Sequence, residues 1–243
     1  MISTTKHAIH TSSHQIGVTS HNIANAGTAG FKRSSALFED LFLKQGEIYG
    51  PIVGSGALVQ GSRVNHSPTA LKQTGVSSDL AINGHGMFVL KTPRSEEQPT
   101  FTRNGSFQLD NNGFLTTMEG QHVLSKNLTS IQIEYEKAGI PLSEFNVRPD
   151  GLVTAAYGVA SPEPIDQLGI AYFDNPEALR PLGNGGYIAS EEASLFGIFR
   201  PGENGTGEVR SGHLEMANVD IVKELISLLK GQQAFSAASK AIQ

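Results

Sequence analysis

Isoleucine recurs every seven residues at the start of this chain, at Ile2, Ile9, Ile16 and Ile23, with Thr5, Ser12 and Thr19 three residues after the first three. That spacing is a heptad seam with isoleucine at a and small polar residues at d. Residues 3–24 contain no proline and only one glycine, Gly17, so nothing breaks a helix there. The seam is thin, and Ser, Thr and His are modest helix formers, so this helix needs a partner.

A second helical pattern runs from Asn218 to Ile242. Asn218 or Asp220 can cap it by accepting from free backbone N–H groups of the first turn. Ile221, Leu225, Leu228, Phe235 and Ile242 follow steps of four and three, with Gln232 and Ser239 in the same row, while Val222, Ile226 and Leu229 broaden the stripe. Two amphipathic ends of this kind pack on their own domain or on neighbouring chains. The polar d positions favour the neighbours, because a monomer core calls for larger apolar groups there. The seam candidates for contact between subunits are Ile2, Ile9, Ile16, Ile23, Ile221, Leu225, Leu228, Leu229, Phe235 and Ile242.

Between the ends the chain reads as β. Ala81-Ile82 and Met87 to Leu90 flank Asn83-Gly84, a turn signal, and Phe101 to Arg103 and Ser106 to Leu109 flank a second, Asn104-Gly105. Asp110 to Gly113 precedes Phe114 to Thr116, and short alternating runs follow as far as Phe173. Twenty-seven glycines and eleven prolines in 243 residues suit many short strands and turns. No βαβ rhythm is present. The expected class is α+β: long N- and C-terminal helices forming a coiled-coil-like inner domain, and a central, mainly antiparallel β domain. The expected boundaries are 1–34 with 213–243 for the helices, 35–56 for an extended connection, and 57–212 for the β-rich part.

Enzyme chemistry is hard to find. There is no P-loop, no Gly-x-Ser-x-Gly elbow and no His-Glu-x-x-His, and with zero cysteine there is no thiolate zinc site or cysteine nucleophile. Gly54/Gly56, Gly84/Gly86 and Gly183/Gly185 lack a third glycine and read as turns. His7, His10, His14 and His21 share a helix face, but no carboxylate lies among the first thirty residues to complete a metal site, and a solvated face opposite the isoleucines is expected. Glu96-Glu97, Glu134/Glu136 and Glu191-Glu192 read as solvated acids, and Asp110 to Gly113 as a turn rather than half a calcium loop. A net charge of −5 argues against nucleic acid, no apolar run approaches a membrane span, and the N-terminus lacks a secretory apolar core. No catalytic residue, metal or cofactor is expected.

Ser20-His21-Asn22-Ile23-Ala24-Asn25-Ala26-Gly27-Thr28-Ala29-Gly30-Phe31-Lys32-Arg33, followed by Phe38 to Leu41, resembles the N-terminal signature of bacterial flagellar rod and hook proteins. Asp79 to Gly84 with Gly86 to Val89, Thr102 to Phe107 and Asn112 to Leu115 are similar to that family's β segments. Gly212 to Asp220 and Gln232 to Phe235 resemble its C-terminal signature. The signature residues singled out are Asn22, Ile23, Asn25, Gly30, Phe31, Leu214, Glu215, Asn218 and Val219. Asn25 and Gly27 suit a helix stop and Gly30 a tight turn, while Phe31 suits either an anchor on a neighbouring surface or burial in its own domain, with Lys32-Arg33 solvated.

The resemblance implies a structural subunit of the flagellar axial tube, with terminal helices in the inner layer. Its partners would be copies of itself and other rod or hook proteins. It would be exported by the flagellar export apparatus without a cleaved signal, to a periplasmic rod in the basal body. The chain between the β hairpin and the C-terminal signature is too short for the extra outer domain of a hook protein, which favours a rod subunit over a hook subunit. Only Leu43 to Gly56 is available for the insert of a distal-rod protein, so a proximal type or a short distal variant fits. A more remote alternative is a β-rich carbohydrate-binding or hydrolysing protein. Sugar platforms favour exposed Trp or Tyr, and this chain has no Trp and five Tyr.

Overall fold

A computed structural model describes residues 2–43, 53–93 and 98–241. By contacts the chain divides into two units. The helical unit comprises Met1–Gly27, Lys32–His66 and Asn218–Gln243, and the β unit comprises Thr28–Phe31 and Ser67–Ala217.

In the helical unit, α1 spans Ile2–Ala24, β1 Ser34–Leu43, β2 Val53–Val64 and α2 Ile221–Lys240. β1 and β2 pair antiparallel from Ser34↔Val64 to Leu43↔Val53, with two register shifts. α1 packs against α2 on one side and against β1 and β2 on another. Asn25 closes α1 by donating from Nδ2 to the His21 carbonyl at 2.9 Å.

The helices do not form the expected long coiled-coil-like domain, and the α+β assignment is corrected to a mainly β chain. Among the described residues α1 and α2 are the only α-helices, of 23 and 20 residues, against nineteen strands. The physical reason lies in the seam. Of its polar d positions, Ser12 and Thr19 are buried within the chain at 8% and 4% exposure, and Thr5 is half-buried. Small residues there suit close packing on a single helix and on a β pair, not a continuing row of large knobs. Their polarity therefore does not argue for an outside partner.

The β unit begins with β3 Leu71–Gln73, β4 Leu80–Asn83, β5 Met87–Lys91, β6 Thr100–Thr102, β7 Gln108–Leu109, β8 Leu115–Thr116 and β9 His122–Val123. Next come β10 Glu136–Lys137, β11 Ile140–Val147, β12 Leu152–Tyr157 and β13 Glu163–Gln167, then β14 Ile170–Phe173, β15 Arg180–Gly183 and β16 Gly186–Ile188. β17 Leu195–Phe199, β18 Glu208–Ser211 and β19 His213–Glu215 complete it. One sheet runs β15-β16-β6-β5-β9-β8-β7, with β14 and β17 branching from β5, and a second runs β10-β11-β12-β13. β18 pairs with β4, and β19 with β3. The core gathers Leu80, Ile82, Phe88, Leu115, Ile131 and Ile170, all at most 1% exposed, with Phe107 edge-on to Phe88 at 5.1 Å.

Neither early Asn-Gly turn closes a hairpin. β4 pairs with β18 rather than β5, and β6 pairs with β5 and β16 rather than β7. Gly105 serves a close approach instead: a Cβ there would lie 1.5 Å from the Leu80 carbonyl oxygen. The turn chemistry is local, but the pairing is decided by which strands bury the same core.

Candidate assembly surface

The two helices run antiparallel, because Asn22 lies opposite Glu224 and Ile16 opposite Gly231. A Cβ on Gly231 would stand 3.0 Å from Ile16 Cγ1, so glycine lets the isoleucine seat against the α2 backbone. Ile9, Ile16 and Ile23 are half-buried, while Ile2 begins α1. On the other flank, a Cβ on Gly56 would lie 3.5 Å from His7 Cβ, and His14 Nε2 is 3.5 Å from Ser62 Oγ. His7 and His14 are therefore half-buried toward β2, while His10 and His21 remain exposed.

Signature residues tie the roots of these elements together. Asn22, 1% exposed, donates from Nδ2 to Glu224 Oε2 at 3.1 Å and to the Ser34 carbonyl at 2.8 Å, and its Oδ1 accepts from Ser34 N at 2.9 Å. Glu224, also 1% exposed, accepts from Arg33 Nε at 2.5 Å. Asn218 Oδ1 accepts from Arg33 N, Asn218 Nδ2 donates to the Asn65 carbonyl, and Asn65 N donates to the Arg33 carbonyl. Lys32 and Arg33 are thus not the solvated pair expected. Lys32 is 1% exposed, and Arg33 is held by Glu224. A lysine is rarely buried without a paired ammonium, and a single sequence carries no sign of such a partner.

Asp220 caps α2, its Oδ1 accepting from Val222 N at 3.1 Å and Lys223 N at 3.2 Å. The Lys223 N–H, chiefly, holds its pKa below the ordinary value of 3.8. The cap is therefore complete above that value and is lost as pH falls below it, through the lowered folded pKa. Circular dichroism of the parent is expected to show helix loss over that acid range. Asp220→Ser, whose cap does not titrate, is expected to show less of it, and equal acid sensitivity would contradict the assignment.

The other face of α2 is uncovered. Ile221, Val222, Leu225, Ile226 and Leu229 are 51, 66, 46, 48 and 58% exposed, and Phe235 is 38% exposed. At about 100° per residue, Leu225, Leu229, Val222 and Ile226 form a second stripe about 140° from the buried face of Glu224, Leu228 and Gly231. The expected row at Ile221, Leu225, Leu228 and Phe235 thus divides: Leu228 is half-buried on the face of Glu224 and Gly231, and the others lie toward solvent. Ile242 lies outside the described residues.

In the β unit, Gly30 (φ +67°) presses on the turn at Arg103-Asn104, where a Cβ would lie 2.4 Å from backbone atoms, and its N–H donates to the Glu215 carbonyl at 2.8 Å. Glu215 Oε2 in turn takes Arg103 Nη1 at 3.2 Å, both side chains at most 3% exposed, and Glu215 Oε1 accepts from Thr69 N at 3.0 Å. Phe31 and Leu214 are half-buried in the β unit, and Val219, just before α2, is half-buried in the helical unit. Glu224 and Arg103 carry these networks without having been singled out as site residues. The available signal was an acid inside a helical apolar stripe and a basic residue within a β signature.

Among the described residues no cluster of three or more His, Asp or Glu could hold a metal ion. The chemistry on display is packing and hydrogen bonding.

Comparison with known proteins bears on this surface. The family described as flagellar hook protein FlgE/F/G D1 domain matches residues 81–155, and that described as flagellar basal body rod FlgEFG protein C-terminal matches residues 210–243. The flagellar basal-body rod protein FlgG of Bacillus subtilis is 33% identical over 240 residues, spanning 94% of this chain and 88% of that protein. FlgG of Buchnera aphidicola subsp. Acyrthosiphon pisum is 32% identical over 240 residues, spanning 93% and 88%. The flagellar hook protein FlgE of Treponema pallidum is 38% identical over 112 residues, spanning 42% of this chain and 24% of the hook protein.

Proposed function

Because the chain belongs to the family of flagellar basal-body rod and hook proteins, and its near full-length relatives are rod proteins, we propose that it is a structural subunit of the basal-body rod. The observation that carries the reading is similarity along 94% of the chain to a rod protein, against 42% for the hook protein. The same similarity replaces the carbohydrate reading.

In this account copies of the chain, with other rod proteins, stack into a tube whose inner wall is built from the terminal helices. The uncovered stripe of α2 supports that role. A contact between unlike surfaces whose rotation does not close yields a helical filament. The seam positions Ile9, Ile16, Ile23 and Leu228 pack or steady the helix pair, while Ile221, Leu225, Leu229 and Phe235 meet neighbouring subunits. Export by the flagellar apparatus without a cleaved signal, and a periplasmic station, complete the proposal.

Deleting the gene from its host is expected to abolish swimming and to leave basal bodies without a complete rod in negative-stain micrographs. Complete rods and normal swimming in the deletion strain would overturn it.

A further inference from the structure

We infer that the Asn22–Glu224–Arg33 network is a register lock between α1 and α2, so that Asn22 and Glu224 act as positioning residues for the apolar stripe that α2 presents. Apolar contact alone sets the register of the two helices only weakly. Ile9, Ile16 and Ile23 recur at seven residues on α1, and Leu228 and Phe235 recur at seven on α2. Sliding one helix past the other by a turn, about 5.4 Å, takes Ile16 from Gly231 to Ser227 or Phe235 and still leaves it against a small or apolar side chain. Dispersion and burial are non-directional and discriminate weakly between such registers.

The polar network does discriminate. Glu224 is 1% exposed, and its two carboxylate oxygens take donors from two different elements: Asn22 on α1 and Arg33 just before β1. Asn22 is itself fixed by Ser34, through both the N–H and the carbonyl. A slip of the antiparallel pair by four residues, the slip that the Ser227 and Phe235 positions report, would bring Glu224 opposite Val18 or Ala26, neither of which has a side-chain donor. The carboxylate would then be buried without its partner, an arrangement far costlier than an apolar mismatch. Gly231 against Ile16 adds a steric mark in the same register. A buried polar residue in an otherwise apolar helix seam is the best-attested device for choosing register.

The consequence is directional. With α2 held by Glu224, the second stripe at Val222, Leu225, Ile226 and Leu229 is presented at one height and one azimuth in every subunit. A repeating assembly requires that uniformity. The inference concerns the monomer and is read on the monomer, so its failure is separable from failure of the rod reading.

The chain has no cysteine, which makes disulfide trapping clean. In the full chain, Ile16→Cys with Gly231→Cys reports the native register, while Ile16→Cys with Ser227→Cys or with Phe235→Cys reports slips of one turn either way. In the otherwise unaltered background, mild oxidation is expected to close the native pair and leave the slipped pairs largely open. Adding Asn22→Leu and Glu224→Leu removes the network while keeping apolar volume in the seam. The native cross-link is then expected to fall several-fold and one slipped cross-link to rise, with the helical circular dichroism signal retained. Two results would overturn the lock. If the native pair stays dominant, packing alone sets the register. If the helical signal collapses, the network holds the helices folded rather than choosing between registers.

Discussion

Replacing Leu229 with aspartate is expected to leave a folded monomer that no longer assembles. Leu229 is 58% exposed on the uncovered stripe of α2. A polar residue there costs the free subunit little, within about 0.5 kcal/mol for surface substitutions away from special features. In a rod the same position would be dry, and a carboxylate left unpaired in a dry seam costs several kcal/mol per contact. Because the contact repeats in every subunit, the penalty recurs along the filament. Sedimentation of assembled material should therefore drop to background, while circular dichroism and gel filtration of the monomer match the parent. Leu228→Asp gives the contrast. Leu228 is half-buried on the α2 face that carries Glu224 and Gly231, so its aspartate variant is expected to weaken the helix pair in the monomer itself. Assembly of Leu229→Asp at the parental level would remove that stripe from the interface.

The second large effect lies in the β unit. Arg103 and Glu215 are both nearly inaccessible, and burial lowers the guanidinium's pKa while Glu215 pulls it back up. Arg103 also donates to the carbonyls of Ile82 and Gly84, at 3.4 and 2.7 Å, and Nε has no partner among the described residues. Glu215→Ala leaves a buried cation without its counter-charge and Thr69 N–H without its acceptor. The expected loss is about 3–5 kcal/mol, seen as a lower urea midpoint for the full chain. Joint replacement by Arg103→Met and Glu215→Leu should recover only part of it, because the Ile82, Gly84 and Thr69 backbone groups stay unpaired. A Glu215→Ala midpoint equal to the parent's would show that the pair contributes nothing net.

Some of this was legible in the sequence and some was not. The helix positions follow from local signals: the seven-residue isoleucine period, the Asp220 cap and the stop at Asn25. The strand pairing does not. Asn83-Gly84 and Asn104-Gly105 carry hairpin chemistry, yet β4 finds its partner in β18, more than a hundred residues away, and Gly105 is needed because Leu80 passes so close. Arg103 and Glu215 are 112 positions apart, and Asn22 and Glu224 are 202 apart. Nothing in the local composition marks such residues as partners. The motif resemblance placed Asn22, Gly30, Glu215 and Asn218 among the important residues without saying what they touch, and the structure supplies the contacts. The helix class was overstated for a related reason. A seven-residue period reports that a face is buried, but it does not distinguish a long coiled coil from a 23-residue helix packed on one partner and a β pair.

The uncovered face of α2 is expected to become buried between subunits when the rod forms. A single Leu229→Cys substitution in this cysteine-free chain reads that burial at one thiol. The thiol's rate of reaction with a maleimide is measured in the monomer and in rods assembled from the same variant. The account predicts rapid labelling of the monomer and strong protection in the rod. Equal labelling in both would place this face in solvent throughout and contradict the account.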